Sequence, residues 1–158
     1  MNYWLLKTEP ATFSVDTLAA APRKTTCWDG VRNYQARNML RDQMQVNDRA
    51  LLYHSSCDVP GAVAIMKIVR AGYPDHTALD RKHKHFDADS VAANPRWYMV
   101  DVQLERRLKH IITLNMLRAH AKGSLQDFWL LRAGNRLSVM PVSAAHWQFI
   151  LSLETKGD

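Results

Sequence analysis

Five apolar runs of strand length lie along the chain, and they do not alternate regularly with helical segments. The runs cover residues 3–7, 49–55, 61–69, 96–105 and 137–142. A parallel doubly wound sheet needs regular strand–helix–strand alternation, so this order argues against that architecture. It predicts an α+β fold, in which a strongly curved mixed sheet or open barrel of about five to six strands is flanked by short helices.

Helix-capping residues precede most of the helical segments. Ser14, Asn33, Thr113 and Ser143 are predicted N-caps of helices over residues 15–20, 34–44, 114–120 and from 144 onward. Residues 125–131 are predicted as a further short helix, and residues 73–94 as a long polar loop. Pro141 cannot donate to a ladder, which places the last strand at an edge of the sheet.

Size and charge restrict the class of protein. A chain of 158 residues fits a single domain, predicted over residues 1–154 with a frayed tail at 155–158. The net charge of +6 favours a polyanionic partner, because neutralised phosphates release condensed counterions.

Two cysteines without a C-x-x-C spacing are typical of reduced thiols, and no apolar run is long enough to cross a membrane. We therefore predict a cytoplasmic protein, nucleoid association being an alternative; the sequence does not set the oligomeric state.

Catalytic and metal motifs are missing from the sequence. It contains no P-loop, G-x-G-x-x-G, G-x-S-x-G, H-E-x-x-H or zinc-finger spacing, so we predict no catalytic residue and no cofactor. His83 and His85, together with Asp80, Asp87 and Asp89, resemble metal ligands in composition. They lack a closed four-ligand set and fall in a polar loop, which favours a solvated loop over a metal site.

The segment over residues 28–38 concentrates aromatic, amide and basic side chains: Trp28, Arg32, Asn33, Tyr34, Gln35, Arg37 and Asn38. An indole can stack on any base, and amides can pair with base edges. Arginines and free N–H groups at a helix start can hold phosphate. A capped helix with a buried Trp and a solvated basic face explains the same residues, and composition does not decide between the two interpretations.

Polar side chains also lie at an end of three of the predicted strands. They are Lys7, Thr8 and Glu9; Tyr53, His54 and Ser55; and, around the start of the last strand, Arg136 and Ser138. Strand ends often deliver polar groups into a pocket, although plain surface charge explains each set taken singly. His54 and Ser55 are adjacent on a strand and point to opposite faces, so they do not form a nucleophile–base pair with each other.

Taken together, these runs resemble the EVE domain family over nearly the whole chain. The resemblance rests on Y-W-L-L-K-T-E-P at residues 3–10, W-D-G-V-R-N-Y-Q-A-R-N at 28–38, Y-H-S at 53–55, Y-P-D at 73–75, P-R-W-Y-M-V-D-V at 95–102 and R-L-S-V-M-P-V at 136–142. It implies a PUA-like mixed β-barrel similar to the YTH domain, which reads a methylated adenine in RNA. The ligand that it implies is a modified base, with 5-modified cytosine in DNA favoured over RNA.

The resemblance also implies roles for individual residues. Trp28 is the stacking wall, and Arg32, Arg37 and Arg136 contact the phosphate backbone. The other residues of the implied base pocket are Lys7, Thr8, Glu9, Val31, Asn33, Gln35, Tyr53, His54, Ser55 and Ser138. The second aromatic wall stays open between Tyr34, Tyr53 and Trp97, and Met140 stands where the family usually has Gln.

Three functional hypotheses follow. The first is a module that reads a modified base without chemistry. The second is an enzyme acting on a modified nucleotide or nucleic acid with Lys7, Glu9 or His54 as acid or base. The third is a small-molecule or protein-interaction module that reuses the fold, since fold does not determine function.

Overall fold

A computed structural model describes residues 1–156. The strands and helices alternate irregularly along the chain, and three short 3-10 turns connect them. The elements are β1 (Tyr3–Thr8), α1 (Val15–Ala20), a 3-10 turn (Pro22–Lys24), β2 (Thr25–Cys27), α2 (Tyr34–Asn38), a π-helical turn (Met39–Gln43), β3 (Arg49–His54), β4 (Gly61–Pro74), a 3-10 turn (His76–Leu79), β5 (Tyr98–Thr113), α3 (Leu114–Arg118), a 3-10 turn (Trp129–Leu131), β6 (Val139–Val142) and α4 (Ala144–Lys156).

The six strands form one mixed sheet in the order β2-β5-β4-β3-β1-β6. The β1–β3 pair is parallel, and the other pairs are antiparallel. Several register shifts interrupt the long β4–β5 ladder, and such bulges increase the local twist of a sheet. This confirms the predicted α+β fold with a curved mixed sheet and short helices. Within residues 1–156 the edge strands β2 and β6 do not pair, so the sheet is open rather than closed into a barrel.

Both faces of the sheet are buried, which explains why the first strand is apolar at consecutive positions. Trp4 and Leu6 belong to a core cluster that also holds residues of α1 and α2, whereas Leu5 belongs to a second cluster with residues of α3 and α4. All three side chains are at most 2% exposed. Because neighbouring strand residues point to opposite faces, one strand supplies both cores.

The predicted caps are confirmed. Ser14 forms a capping box with Thr17, and the side chains of Asn33 and Thr113 accept the amide N–H groups of Ala36 and Met116. Ser143 accepts the amide N–H of His146 at the start of α4. These caps satisfy N–H groups that have no partner inside their helices. Strand β6 lies at an edge of the sheet, as Pro141 predicted.

Some element predictions need correction. The helix predicted over 125–131 reduces to the 3-10 turn, and the segment over 34–44 changes from α- to π-helical hydrogen bonding at Met39. Strand β2 has only three residues and carried no recognisable pattern. Thr155 and Lys156 continue α4 rather than fraying, and the rest of the predicted tail lies outside the described residues. No helix among the described residues is long and apolar enough to cross a membrane.

Candidate functional site

The main cavity lies where the carboxyl end of β1 approaches the segment that follows β2. It has a volume of about 670 Å³, which is in the range of small-molecule sites. The cavity is lined by Lys7, Thr8, Glu9, Thr12, Phe13, Thr26, Cys27, Trp28, Asp29, Gly30, Val31, His83, Lys84, His85 and Ser138. Strands β1 and β2 are four places apart in the sheet, so its curvature is what brings their ends to one cavity.

Two aromatic rings form a corner of this cavity. The ring centroids of Phe13 and Trp28 are 6.2 Å apart and their planes meet at 83°. Trp28 is only 7% exposed, so most of the indole packs in the core and only a small part reaches the cavity. Phe13 is partly buried and was not predicted as a site residue. A planar ligand in this corner would stack on one ring and meet the other edge-on, an arrangement that aromatic groups favour.

Polar groups surround the aromatic corner. The amide of Lys7 donates to the carbonyl of Ser138 at 2.8 Å, which joins β1 to the start of β6. The Thr8 hydroxyl donates to the carbonyl of Phe13 at 2.9 Å and holds the turn that carries this ring. Burial lowers the pKa of Lys7. The backbone bonds therefore place Lys7, Thr8 and Ser138 side by side at one wall.

Asp75 holds the segment that contains Gly30 and Arg32 through hydrogen bonds. It is 2% exposed and follows β4. Its carboxylate accepts hydrogen bonds from the Gly30 amide at 2.9 Å, from Arg32 Nη1 at 3.0 Å and from the Thr77 amide at 2.8 Å. Burial alone would raise the pKa of Asp75, but the hydrogen bonds from Thr77, Gly30 and Arg32 outweigh it and lower the pKa.

The predicted long loop folds over the cavity and supplies His83, Lys84 and His85. Arg32 holds this loop, because its Nε and Nη2 donate to the carbonyl of His85 at 3.3 and 2.6 Å. The ring of His85 packs directly on Gly30, where a Cβ would lie 2.6 Å from Nε2 and 2.7 Å from Nδ1. Burial lowers the pKa of His85. Gly30 is thus required both by this contact and by its φ of +79°.

We expect Gly30→Ala to displace His85 and loosen the loop. The left-handed backbone and the overlap with the imidazole together should lower the free energy of unfolding by about 2–4 kcal/mol. Chemical denaturation measures the loss. Gly134→Ala is the matched control, since Gly134 has a φ of +74° and no atom of the described residues 1–156 lies within 4 Å of the added carbon. An equal loss in both variants would contradict the contact with His85.

Several predicted base-pocket residues lie elsewhere. Tyr53 and Ser55 line a second cavity of about 470 Å³, which Lys7 also borders. Asn33 and Gln35 are exposed and line neither cavity, and the Asn33 side chain is engaged as a helix cap. Nε2 of His54 accepts a hydrogen bond from the amide N–H of Val15 at 3.2 Å. His54 therefore helps to cap the start of α1. Burial lowers the pKa of His54, consistent with this acceptor role.

The three arginines predicted to contact the phosphate backbone differ in whether their guanidinium groups are already hydrogen-bonded within the protein. Arg32 makes four hydrogen bonds, to Asp75, the carbonyl of Val31 and twice the carbonyl of His85. Arg37 bonds to Asn38 and to the carbonyl of Arg96. These hydrogen bonds occupy the guanidinium donors that a phosphate would need, which favours a structural role for Arg32 and Arg37. Arg136 is exposed, and within residues 1–156 its side chain has no hydrogen bond or ion pair.

The three aromatic residues considered for a second wall do not line the main cavity. Tyr34 and Trp97 stack on each other with their centroids 4.9 Å apart, and Tyr53 lies at the second cavity. The aromatic residue that lines the main cavity next to Trp28 is Phe13. It lies in the turn between β1 and α1, and no local pattern distinguishes it from a residue that simply covers the core. The sequence singled out His83 and His85 because they resemble metal ligands in composition, and nothing in it connected them to Trp28.

Comparisons with known proteins agree with this architecture. A model of the EVE domain matches residues 2–153. Thymocyte nuclear protein 1 of Rattus norvegicus is 46% identical over 167 residues, which cover 97% of this chain and 74% of that protein. The crystal structure of human THYN1 protein in complex with 5-methylcytosine-containing DNA has a TM-score of 0.96 and 42% identity, covering 100% of both chains. The DUF55 domain of human thymocyte nuclear protein 1 has a TM-score of 0.91 and 42% identity, covering 96% of this chain and 98% of that one.

The predicted cytoplasmic location is wrong. Relatives from rat, mouse and human are named as nuclear proteins, which contradicts it. The prediction relied on the cysteine pattern and on the lack of an apolar run long enough to cross a membrane. Thiols are kept reduced in the nucleus as they are in the cytosol, so these features do not distinguish the two compartments.

Proposed function

This chain belongs to the EVE domain family, and we propose that its main cavity binds a modified base of nucleic acid without catalysing a reaction on it. The ligand class that we propose is a 5-modified cytosine in DNA. The observation that carries the proposal is the aromatic corner of Phe13 and Trp28 inside a cavity bordered by polar groups. The complex of human THYN1 with 5-methylcytosine-containing DNA supports the same ligand class.

The chemistry of the cavity suits a base more than a charged metabolite. Aromatic rings offer stacking surface, while Lys7, Thr8 and Ser138 offer donors and acceptors to a base edge. Glu9 adds an acceptor that matches the exocyclic amine of cytosine. Val31 is 5% exposed and provides apolar surface for a methyl-sized substituent. The net charge of +6 attracts the phosphate backbone, for which the exposed Arg136 offers a contact.

The remaining residues implied by the resemblance keep more peripheral roles in this proposal. Tyr53 and Ser55 line the second cavity, and the role that we propose for them is contact with a nucleotide next to the bound base. Asn33 and Gln35 are exposed at the start of α2, where they are accessible to the strand outside the cavity. Arg32 and Arg37 act indirectly, by holding the loop and α2 in position.

Binding without catalysis is proposed because the acid–base candidates are not arranged for proton transfer at the cavity. His54 does not line the cavity and uses Nε2 to accept an amide N–H. Lys7 and Glu9 do line it, but within residues 1–156 no hydrogen bond joins their side chains to each other or to a further side chain that would orient them. A general base needs such orientation as well as proximity.

The experiment that tests the proposal is a titration of matched oligonucleotides that carry cytosine or 5-methylcytosine at one position. A base must leave the stack to enter a cavity, at a cost of a few kcal/mol. We therefore expect preference for the modified oligonucleotide, and tighter binding to single strands or mismatched duplexes than to matched ones. Equal affinity for both oligonucleotides would overturn the proposed function.

The matched variant is Ser138→Phe, which places a bulky ring at the wall beside Lys7. It should remove the preference for the modified base and leave the salt-dependent binding to unmodified DNA intact, because backbone contacts lie outside the cavity. Ser124→Phe is the control, since Ser124 is exposed and lines neither of the two larger cavities. A preference that survives in Ser138→Phe would place the base elsewhere on the protein.

A further inference from the structure

Three potential metal ligands converge at the mouth of the main cavity. Oδ2 of Asp29 lies 3.9 Å from Nε2 of His83 and 3.8 Å from Nδ1 of His85. One donor atom from each residue lies within 4.8 Å of the other two. The residues come from two distant segments, the turn after β2 and the loop before β5, and all three line the cavity.

His85 provides a second, independent observation. Its Nδ1 atom is buried and has no hydrogen-bond partner among the described residues. A buried polar atom without a partner is uncommon in folded proteins and calls for a physical reason, of which a bound water or ion is one. This nitrogen lies 3.8 Å from Oδ2 of Asp29, beyond hydrogen-bond distance.

The position of His85 is set before any ion arrives. Arg32 holds its carbonyl with two hydrogen bonds, and Gly30 leaves room for its ring. The anchored backbone and the close contact of the ring with Gly30 limit the freedom of the imidazole. Pre-organised ligands lose less conformational entropy on binding, which favours a site over a chance cluster of side chains.

We propose that Asp29, His83 and His85 form a binding site for a divalent transition metal ion, with zinc(II) or cobalt(II) as suitable ions. Two imidazoles and one carboxylate are a ligand set that these ions accept. Tetrahedral bonds of about 2.0–2.2 Å require donor separations of about 3.3–3.6 Å. The three donor atoms lie within 4.8 Å of one another, so the side chains need to close by at most about 1.5 Å. Because the three ligands line the cavity, the remaining coordination position opens into it and takes water or an anionic oxygen.

The two histidines are not equivalent in this site. Nδ1 of His83 accepts the amide N–H of His85 at 3.0 Å, so the ring proton of neutral His83 sits on Nε2. Ligation through Nε2 requires this proton to move to Nδ1, which breaks the hydrogen bond that Nδ1 accepts from the His85 amide N–H. His85 has no such competing bond at Nδ1. His83 is therefore the weaker ligand, and its loss should matter less than the loss of His85.

The test uses the full chain, freed of any affinity tag and treated with chelator, titrated with cobalt(II) and followed by the visible absorption of the bound ion. We expect one equivalent to bind, with affinity lowered at least tenfold in His85→Gln and Asp29→Asn and by a smaller factor in His83→Gln. His76→Gln is the control, because His76 is exposed in the same loop and is not one of the converging ligands. Calorimetry with zinc(II) should give the same order.

Two results would overturn this site: no saturable binding of either ion, or unchanged affinity in both His85→Gln and Asp29→Asn. Thermal unfolding of each variant without metal checks that the fold is intact, and Gln and Asn keep the shape of the replaced side chains. The measurement contains no nucleic acid, so its outcome is independent of the proposed base recognition. Repeating the oligonucleotide titration with and without chelator then shows whether the ion contributes to nucleic-acid binding.

Discussion

Asp75→Ala should lower the free energy of unfolding by about 3–5 kcal/mol, a large part of the roughly 5–15 kcal/mol that stabilises a domain. The substitution leaves the partly buried guanidinium of Arg32 without its anion, and the amides of Gly30 and Thr77 without an acceptor. Orphaned buried donors and charges retain their full desolvation cost. For a chain of this size the loss corresponds to a fall in Tm of about 6–20 °C.

Denaturant unfolding at pH 7 measures this effect, and Asp58→Ala is the control because Asp58 is exposed. Asp75→Asn sharpens the test, since its amide group would face the donors of Gly30 or Thr77 while the volume stays the same. A loss below about 1 kcal/mol in Asp75→Ala, the level of a surface substitution, would contradict the role of this carboxylate.

The same carboxylate gives the destabilisation a pH dependence. The pKa of Asp75 is lowered in the folded state, so its contribution is complete above the unfolded value of about 3.9. The contribution is lost as pH falls through the lower folded pKa. The difference in stability between wild type and Asp75→Asn should therefore be constant near neutrality and shrink only in strong acid. A difference that shrinks already between pH 7 and pH 5 would contradict the lowered pKa.

Trp28→Ala should weaken binding of the modified oligonucleotide by about 5–150-fold, the range that corresponds to about 1–3 kcal/mol of stacking per base. The indole forms one side of the aromatic corner with Phe13. Because Trp28 is 7% exposed and packs in the core, its removal also leaves a void that costs about 3–5 kcal/mol of stability. Affinity must therefore be measured at a temperature where the variant is folded.

Trp147→Ala separates the two effects. Trp147 is 5% exposed and stacks on Tyr3, with ring centroids 4.5 Å apart, in the core on the other face of the sheet, and it is not part of the cavity lining. We expect this variant to lose similar stability and to keep its affinity for the modified base. Phe13→Leu complements it, because a partly exposed ring is replaced at lower cost to the core. Unchanged affinity in both Trp28→Ala and Phe13→Leu would remove the aromatic corner from the binding site.

Much of the fold was predictable because its signals are local. Apolar runs marked β1, β3, β4, β5 and β6, and side-chain caps at Ser14, Asn33, Thr113 and Ser143 marked the starts of four helices. A cap acts through a hydrogen bond to an amide two or three residues away, so the sequence contains both partners. Strand β2 was not predicted, because its three residues form a strand through their pairing with β5 and no local sequence pattern indicates that pairing.

The candidate site was predictable only in part. Lys7, Thr8, Glu9, Trp28, Val31 and Ser138 do line one cavity, and whether they bind a base is for the titrations to decide. Arg32 and His54 were chosen because their side chains suit ligands. In the structure nearby backbone groups occupy those same donors and acceptors, the carbonyl of His85 for Arg32 and the amide of Val15 for His54. Whether the donors and acceptors of a side chain are free to bind a ligand depends on all its spatial neighbours, and sequence spacing does not identify those neighbours.

The sequence by itself determined the mixed α+β class, the edge position of β6 and the family resemblance, because periodicity, capping and proline act over a few residues. The tertiary structure alone decided which polar groups meet. Asp75 reaches Gly30 and Arg32 across more than forty residues of chain, and His85 reaches Asp29 across more than fifty. These contacts exist because bulges in the β4–β5 ladder curl the open sheet and the loop before β5 folds over its end. Such curvature sums small twists over the whole sheet, and no short segment of the chain encodes it.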